Sequence, residues 1–161
     1  MAKNSVQKTN AARLLDRAGV SYELVPYPVD ENNLAATHIA ETLGEDIAAV
    51  YKTLVLTGDK TGHIVCVVQG DREIDLKKAA RASGNKKVEM IPMKELLPVT
   101  GYIRGGCTAL GMKKKFPVYI AREALDLPFI YVSAGQRGLQ IKVAPADWIR
   151  ITEATAADIQ S

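Results

Sequence analysis

The chain is poor in the residues that build metal centres and membrane spans. Of 161 residues only two are cysteine and two are histidine. Cys66 and Cys107 stand far apart without a CxxC spacing, and His38 and His63 share no ligand-like spacing with them. A structural zinc site and a disulfide framework are therefore not expected, and two free thiols suit a reducing compartment. No window approaches the roughly 18 consecutive apolar residues of a membrane span, and the start MAKNSVQKTN lacks the apolar stretch of a secretory signal. The expectation is a cytoplasmic protein with no membrane partner, no metal and no cofactor.

What is present suits one ordinary domain over residues 1–161, with 47% hydrophobic and 24% charged residues. The net charge of +3 is uneven. Residues 1–60 carry 6 basic and 8 acidic side chains, and residues 61–161 carry 15 and 10. The second part is the one to meet a polyanion, although mixed charges of this kind also suit a solvated surface.

Local patterns predict an α/β chain. Apolar residues at helical spacing run from Val6 to Ala18, with Gly19 as a stop. SYELVPYPVD reads as an edge or irregular strand interrupted by prolines, and LAATHIAETLG as an amphipathic helix closed by Gly44. VYKTLVLTG and HIVCVVQGD flank the turn GDKTG and form the best hairpin in the chain. DLKKAARASG is a helix with Asp75 as N-cap and Gly84 as stop, and PMKELLPVTG is another, with Pro92 suited to the first turn. VYIA, FIYVSAG and LQIKVA read as short strands, and PADWIRIT begins a helix with Trp148 packed inward. The expected fold is a mixed, largely antiparallel sheet, curved or barrel-like, surrounded by helices.

Three stretches could carry chemistry. In VYKTLVL, alternation puts Lys52 with Val50, Leu54 and Leu56 on the more apolar face. An unpaired buried ammonium costs several kcal/mol, roughly, so solvent, a carboxylate or an anionic ligand must meet it. In RGGCTALGMKKKF, Gly105, Gly106 and Gly111 let the backbone approach a ligand, and exposed amides can bind a carbonyl or phosphate oxygen. Lys113, Lys114 and Lys115 would favour a phosphate chain. In SAGQRG, Arg137 stands between the loop glycines Gly135 and Gly138. Each also has a plain structural reading: a snorkelling lysine, a turn, a hairpin loop.

Taken in order, YKTLVL, VVQGD, DLKKAA, GGCTALGMKKKFPVYI and IYVSAGQRGLQIKV resemble the bacterial YbaK/EbsC-type Cys-tRNA(Pro) deacylases. These are relatives of the editing domain inserted in prolyl-tRNA synthetases. The resemblance spans about Tyr22 to Trp148. It implies a trans-editing enzyme that removes cysteine mischarged on tRNA(Pro), and possibly from tRNA(Cys), working beside prolyl-tRNA synthetase. A pocket alone separates near-isosteric cysteine and proline poorly, hence a second, editing site.

By the same resemblance Lys52 holds the aminoacyl end, and the amides of Gly105 and Gly106 polarise the ester carbonyl. Tyr27, Thr53, Cys107, Thr108, Ser133, Gly135, Arg137 and Gln140 line the substrate site. The implied nucleophile is the substrate's own thiol, which gives a thiolactone and free tRNA. Thr108-Ala109 stands where family members commonly have Ser-Pro, and Gln140 where many have an acidic residue. Both departures bear on amino-acid preference. Two rivals follow from the residues: a cysteine hydrolase using Cys107 as nucleophile, and a module that binds tRNA ends or nucleotides without cleaving them. Editing of another small amino acid such as alanine is a further alternative.

Overall fold

In a computed structural model, residues 8–161 are described. Helix α1 spans Asn10–Arg17, with Thr9 as N-cap accepting from the Ala12 amide at 3.2 Å. The expected start at Val6 lies outside the described residues. Strand β1 (Tyr22–Pro26) is followed by α2 (Ala36–Leu43), β2 (Tyr51–Gly58), β3 (Gly62–Gln69), α3 (Leu76–Ser83), β4 (Val88–Met90) and α4 (Met93–Thr100). Strands β5 (Val118–Ala121), β6 (Ile130–Ser133) and β7 (Leu139–Val143) precede α5 (Pro145–Thr152) and β8 (Thr155–Ala157). Among the described residues no helix is long and apolar enough to cross a membrane.

Local chemistry explains most boundaries. Asp75 caps α3 by accepting from the Lys78 amide at 3.0 Å, and Gly84 ends it at φ +77°. Only a residue without Cβ takes that left-handed turn at no cost. Pro92 stands at the N-cap of α4, one position earlier than expected, and Pro98 lies inside the helix. Trp148 is fully buried, as its place on α5 predicted.

The strands form two sheets. One is antiparallel in the order β1-β7-β6, and the other is mixed in the order β4-β2-β3-β5-β8. The β2–β3 hairpin is in register from Tyr51↔Gln69 to Gly58↔Gly62. Strand β1 is an edge, which is where a strand ending in Pro26 is tolerated. The expectation of a mixed, largely antiparallel arrangement holds, but the barrel-like form does not. The sheets stay open and touch through one parallel bridge, Val50↔Tyr131.

That bridge sets out the site. It places Lys52 and Ser133, each two residues further on, on a common face, while Ser133 pairs with Gln140 and Gln140 with Val25. Lys52 and the hairpin pair Ser133 and Gln140, some 80 residues later in the chain, thus share one side of adjoining strands. The main core packs on the opposite side, with Tyr51, Val55, Val132, Leu139 and Ile141. Around Val50 and Tyr131 the near side carries a small cluster roofed by α2, while further along β2 Leu56 belongs to the main core. Lys52 therefore shares its face with the lesser core, and space remains there for a cavity.

A cationic cavity under helix α2

A cavity of about 200 Å³ opens between α2, the start of β2 and the glycine loop. Leu34, Ala36, Ile39 and Val50 give it an apolar wall. Its polar lining includes Lys52, Thr53, Arg104, Gly105, Ser133 and Gln140, with Cys107 beside them. The volume suits a small acyl group better than a whole nucleotide. Two cations and no carboxylate line it, so an anion or a carbonyl oxygen is the favoured guest.

Lys52 is half-buried, and its ammonium donates to the Gly70 carbonyl at 3.3 Å. Among the described residues it meets no carboxylate within ion-pair distance. Gly70 sits at the exit of β3, its amide donating to the Val50 carbonyl at 2.7 Å. A Cβ there would come within 2.7 Å of the Ala36 Cβ and 2.9 Å of the Ile47 Cδ1, so only glycine lets α2 close over this point. The lysine is thus tethered by one neutral acceptor, with its other two N–H bonds left for a ligand.

The glycine loop is a tight turn. The Gly106 amide donates to the Ile103 carbonyl at 3.0 Å, and Gly105 has φ +85°. This is the pattern of a type II turn, which needs positive φ at its third residue. The resemblance implied that both paired glycines offer amides, and the turn corrects this: the Gly106 amide is already spent. The amides on either side, of Gly105 and Cys107, donate to no backbone carbonyl among the described residues. Gly106 serves by its lack of a side chain, since a Cβ would lie 3.0 Å from the Gln136 Cα and 3.1 Å from the Arg137 nitrogen.

The other predicted residues are placed as follows. Tyr27 borders a narrower neighbouring cavity with Asp30, Asn33 and His38, which shares Leu34, Ile39 and Gly105 with the main one. Thr108 is fully buried beside the loop, its hydroxyl without a partner. Gly135 lines a separate groove with Tyr102 and Lys113. Arg137 packs over Gly105 from outside rather than lining the cavity. Gln140 is 3% exposed, and its Oε1 has no hydrogen-bond partner. Ser133 Oγ accepts from the Gly135 amide at 3.1 Å, leaving its own hydrogen to donate.

Burial pushes the Cys107 thiol up to about 12. A thiol in that state is almost wholly protonated at neutral pH and is a poor nucleophile. The lysine run does not border the cavity: Lys115 pairs with Glu153, and Lys113 donates to the Pro98 carbonyl at 3.4 Å. Sequence reasoning missed the α2 wall, Arg104 and the Gly70 acceptor. Each stood inside a quoted stretch, in LAATHIAETLG, RGGCTALGMKKKF and VVQGD, without a signal that it would line the site.

Comparison with known proteins follows this geometry. Residues 30–151 match the aminoacyl-tRNA editing domain. The chain is 48% identical over 157 residues to "Putative Cys-tRNA(Pro)/Cys-tRNA(Cys) deacylase EbsC" of Enterococcus faecalis, covering 98% of this chain and 96% of that one. It is 29% identical over 108 residues to the uncharacterized protein YwhH of Bacillus subtilis, covering 67% and 68%. The fold is shared with a solved structure described as a putative trans-editing enzyme for prolyl tRNA synthetase, at TM-score 0.82 and 24% identity, covering 96% of this chain and 99% of that one. It is shared also with the hypothetical protein APE2540, at TM-score 0.86 and 19% identity, covering 95% and 100%.

Proposed function

The chain belongs to the aminoacyl-tRNA editing domain family, and from that premise we propose that it is a free-standing deacylase that removes cysteine from tRNA(Pro). A cavity of about 200 Å³ supports an acyl end rather than the tRNA body as what it receives. The likeness to a relative described as a Cys-tRNA(Pro)/Cys-tRNA(Cys) deacylase supports cysteine as the acid removed. Prolyl-tRNA synthetase is the proposed working partner, in keeping with the description of a structure of the same fold.

The mechanism we favour uses the substrate thiol. Its sulfur attacks the ester carbonyl, the C–S bond forms, and the C–O bond to the terminal ribose breaks. The thiol proton ends on the ribose oxygen, leaving a thiolactone and free tRNA. The protein supplies position and charge. Lys52 offers its free N–H bonds to a carbonyl or phosphate oxygen of the aminoacyl end, and the amides of Gly105 and Cys107 are the donors for the developing oxyanion. Ser133 and Gln140 continue the row along which the acyl group lies. The observation that carries this reading is the cavity's lack of an activated nucleophile: burial holds its cysteine protonated, and no histidine or carboxylate lines it to serve as base for a hydroxyl.

Purified protein incubated with cysteinyl-, seryl- and alanyl-tRNA(Pro) tests it. Release of cysteine with little release of serine is expected, because the two differ in nucleophile and hardly in size. Equal rates for the seryl and cysteinyl esters would sink the thiolactone route. Cleavage of the alanyl ester alone would assign a different editing specificity, and cleavage of none would leave a binding module.

A further inference from the structure

The cations of an editing site are expected to hold the tRNA end, yet Arg137 is already engaged within the protein. Its Nε donates to the Arg104 carbonyl at 2.8 Å. That carbonyl lies inside the Ile103–Gly106 turn, closed by the Gly106 amide on Ile103 at 3.0 Å. The arginine stem covers the same turn. A Cβ on Gly105 would stand 3.3 Å from the Arg137 Nε and 3.4 Å from its Cγ, and one on Gly106 would meet the Gln136–Arg137 backbone at 3.0–3.1 Å. The two loops therefore interlock, backbone on backbone with one side chain across the top, at the turn where Gly105 and, just after it, Cys107 line the cavity with amides that donate to no backbone carbonyl among the described residues.

We infer that Arg137 is a positioning residue: its Nε and stem latch the glycine turn, and so fix the amides that meet the ester carbonyl. The inference rests on the deacylase reading for its effect on turnover, but the latch itself does not. A type II turn has a single internal hydrogen bond and few contacts of its own, so an external clasp sets how well it holds its geometry. Displacing donors by a fraction of an ångström weakens a reaction far more than it weakens binding.

Lysine separates the latch from a simple anion contact. Arg137→Lys keeps the charge but puts a methylene where Nε stood, so the bond to the Arg104 carbonyl is lost. Hydrogen exchange at the Gly106 amide should quicken by about tenfold, and kcat on cysteinyl-tRNA(Pro) should fall by about tenfold to a hundredfold. KM and the dependence of KM on salt should stay near those of the parent. Ethylguanidinium added to Arg137→Ala should recover part of the lost kcat. Arg137→Met, which keeps the stem over Gly105, provides the same comparison if the lysine variant does not fold.

Unchanged Gly106 exchange in Arg137→Lys would overturn the latch. So would a loss confined to KM with a weaker salt dependence, which is the mark of a phosphate contact, or faster exchange with kcat intact. If the parent protein cleaves no aminoacyl-tRNA, the deacylase reading fails, and the exchange comparison alone still decides whether the latch exists.

Discussion

Replacing Lys52 by methionine should abolish most turnover and leave the fold standing. The structure allows both magnitudes to be worked. In the folded chain the ammonium makes one hydrogen bond, a long one of 3.3 Å to the Gly70 carbonyl, in a half-buried setting with no carboxylate partner among the described residues. Losing such a bond costs about 0.5–1.5 kcal/mol, and methionine preserves the stem's contacts with the cavity wall. For a chain of this size that is a melting point lower by about 1–6 °C. Catalysis should respond on another scale, because loss of one donor to developing charge typically costs about 10²–10³ in rate. Single-turnover deacylation of cysteinyl-tRNA(Pro), followed beside thermal melts of the same samples, measures both. A rate within threefold of the parent, or a melting point lower by more than about 10 °C, would refute the reasoning. Either result would mean that the lysine supports the sheet rather than a ligand.

Other expectations follow from the same structure. Cys107→Ala should retain cysteinyl-tRNA turnover within a few-fold, because a thiol held up to about 12 contributes no attack; loss of all activity in a folded variant would restore the cysteine-hydrolase reading. Burial holds Cys66 and Cys107 each up to about 12, above the usual thiol value near 8.5. Folding stability should therefore be undiminished below about pH 8.5 and fall as pH rises toward 12, by roughly 1.4 kcal/mol per pH unit for each thiol; urea midpoints between pH 8 and 11 should fall less steeply in a variant with both cysteines replaced by alanine. Asn85→Ala removes an acceptor shared by the Lys60 and Thr61 amides, at 2.8 and 3.1 Å, and a donor to Thr61 and Ser83. It should cost on the order of 2 kcal/mol while leaving turnover unchanged, since it clamps the end of the hairpin about 20 Å from Lys52.

The elements that the sequence made legible are those whose signals are local. The hairpin announced itself through alternation and GDKTG, and α3 through Asp75 and Gly84. Strands Val88–Met90 and Thr155–Ala157 were missed, being three residues long with no alternation to detect. The parallel pairing of β3 with β5, and of β5 with β8, depends on crossovers that leave no mark in the strands themselves. At the site, Lys52 was visible as an oddity of pattern, and the glycine loop as composition. Their meeting with Ser133 and Gln140 was legible only through family resemblance. The helix α2 wall was not, because it depends on how closely a helix approaches a sheet, and here that is set by the bare Cα of Gly70. The spent amide of Gly106 was equally hidden, since GG reads the same whether both nitrogens are free or one closes a turn.

The shared face of Lys52, Ser133 and Gln140 also governs when the protein can first work. Lys52 stands some 80 residues before Ser133 and Gln140, and only pairing across the two sheets brings it to them. A nascent chain still attached to the ribosome at residue 130 can own its hairpin, its first helices and its glycine loop, yet have no cavity floor. Contacts of such long sequence separation form late and slowly. On the deacylase reading, turnover should therefore appear only once both sheets have paired.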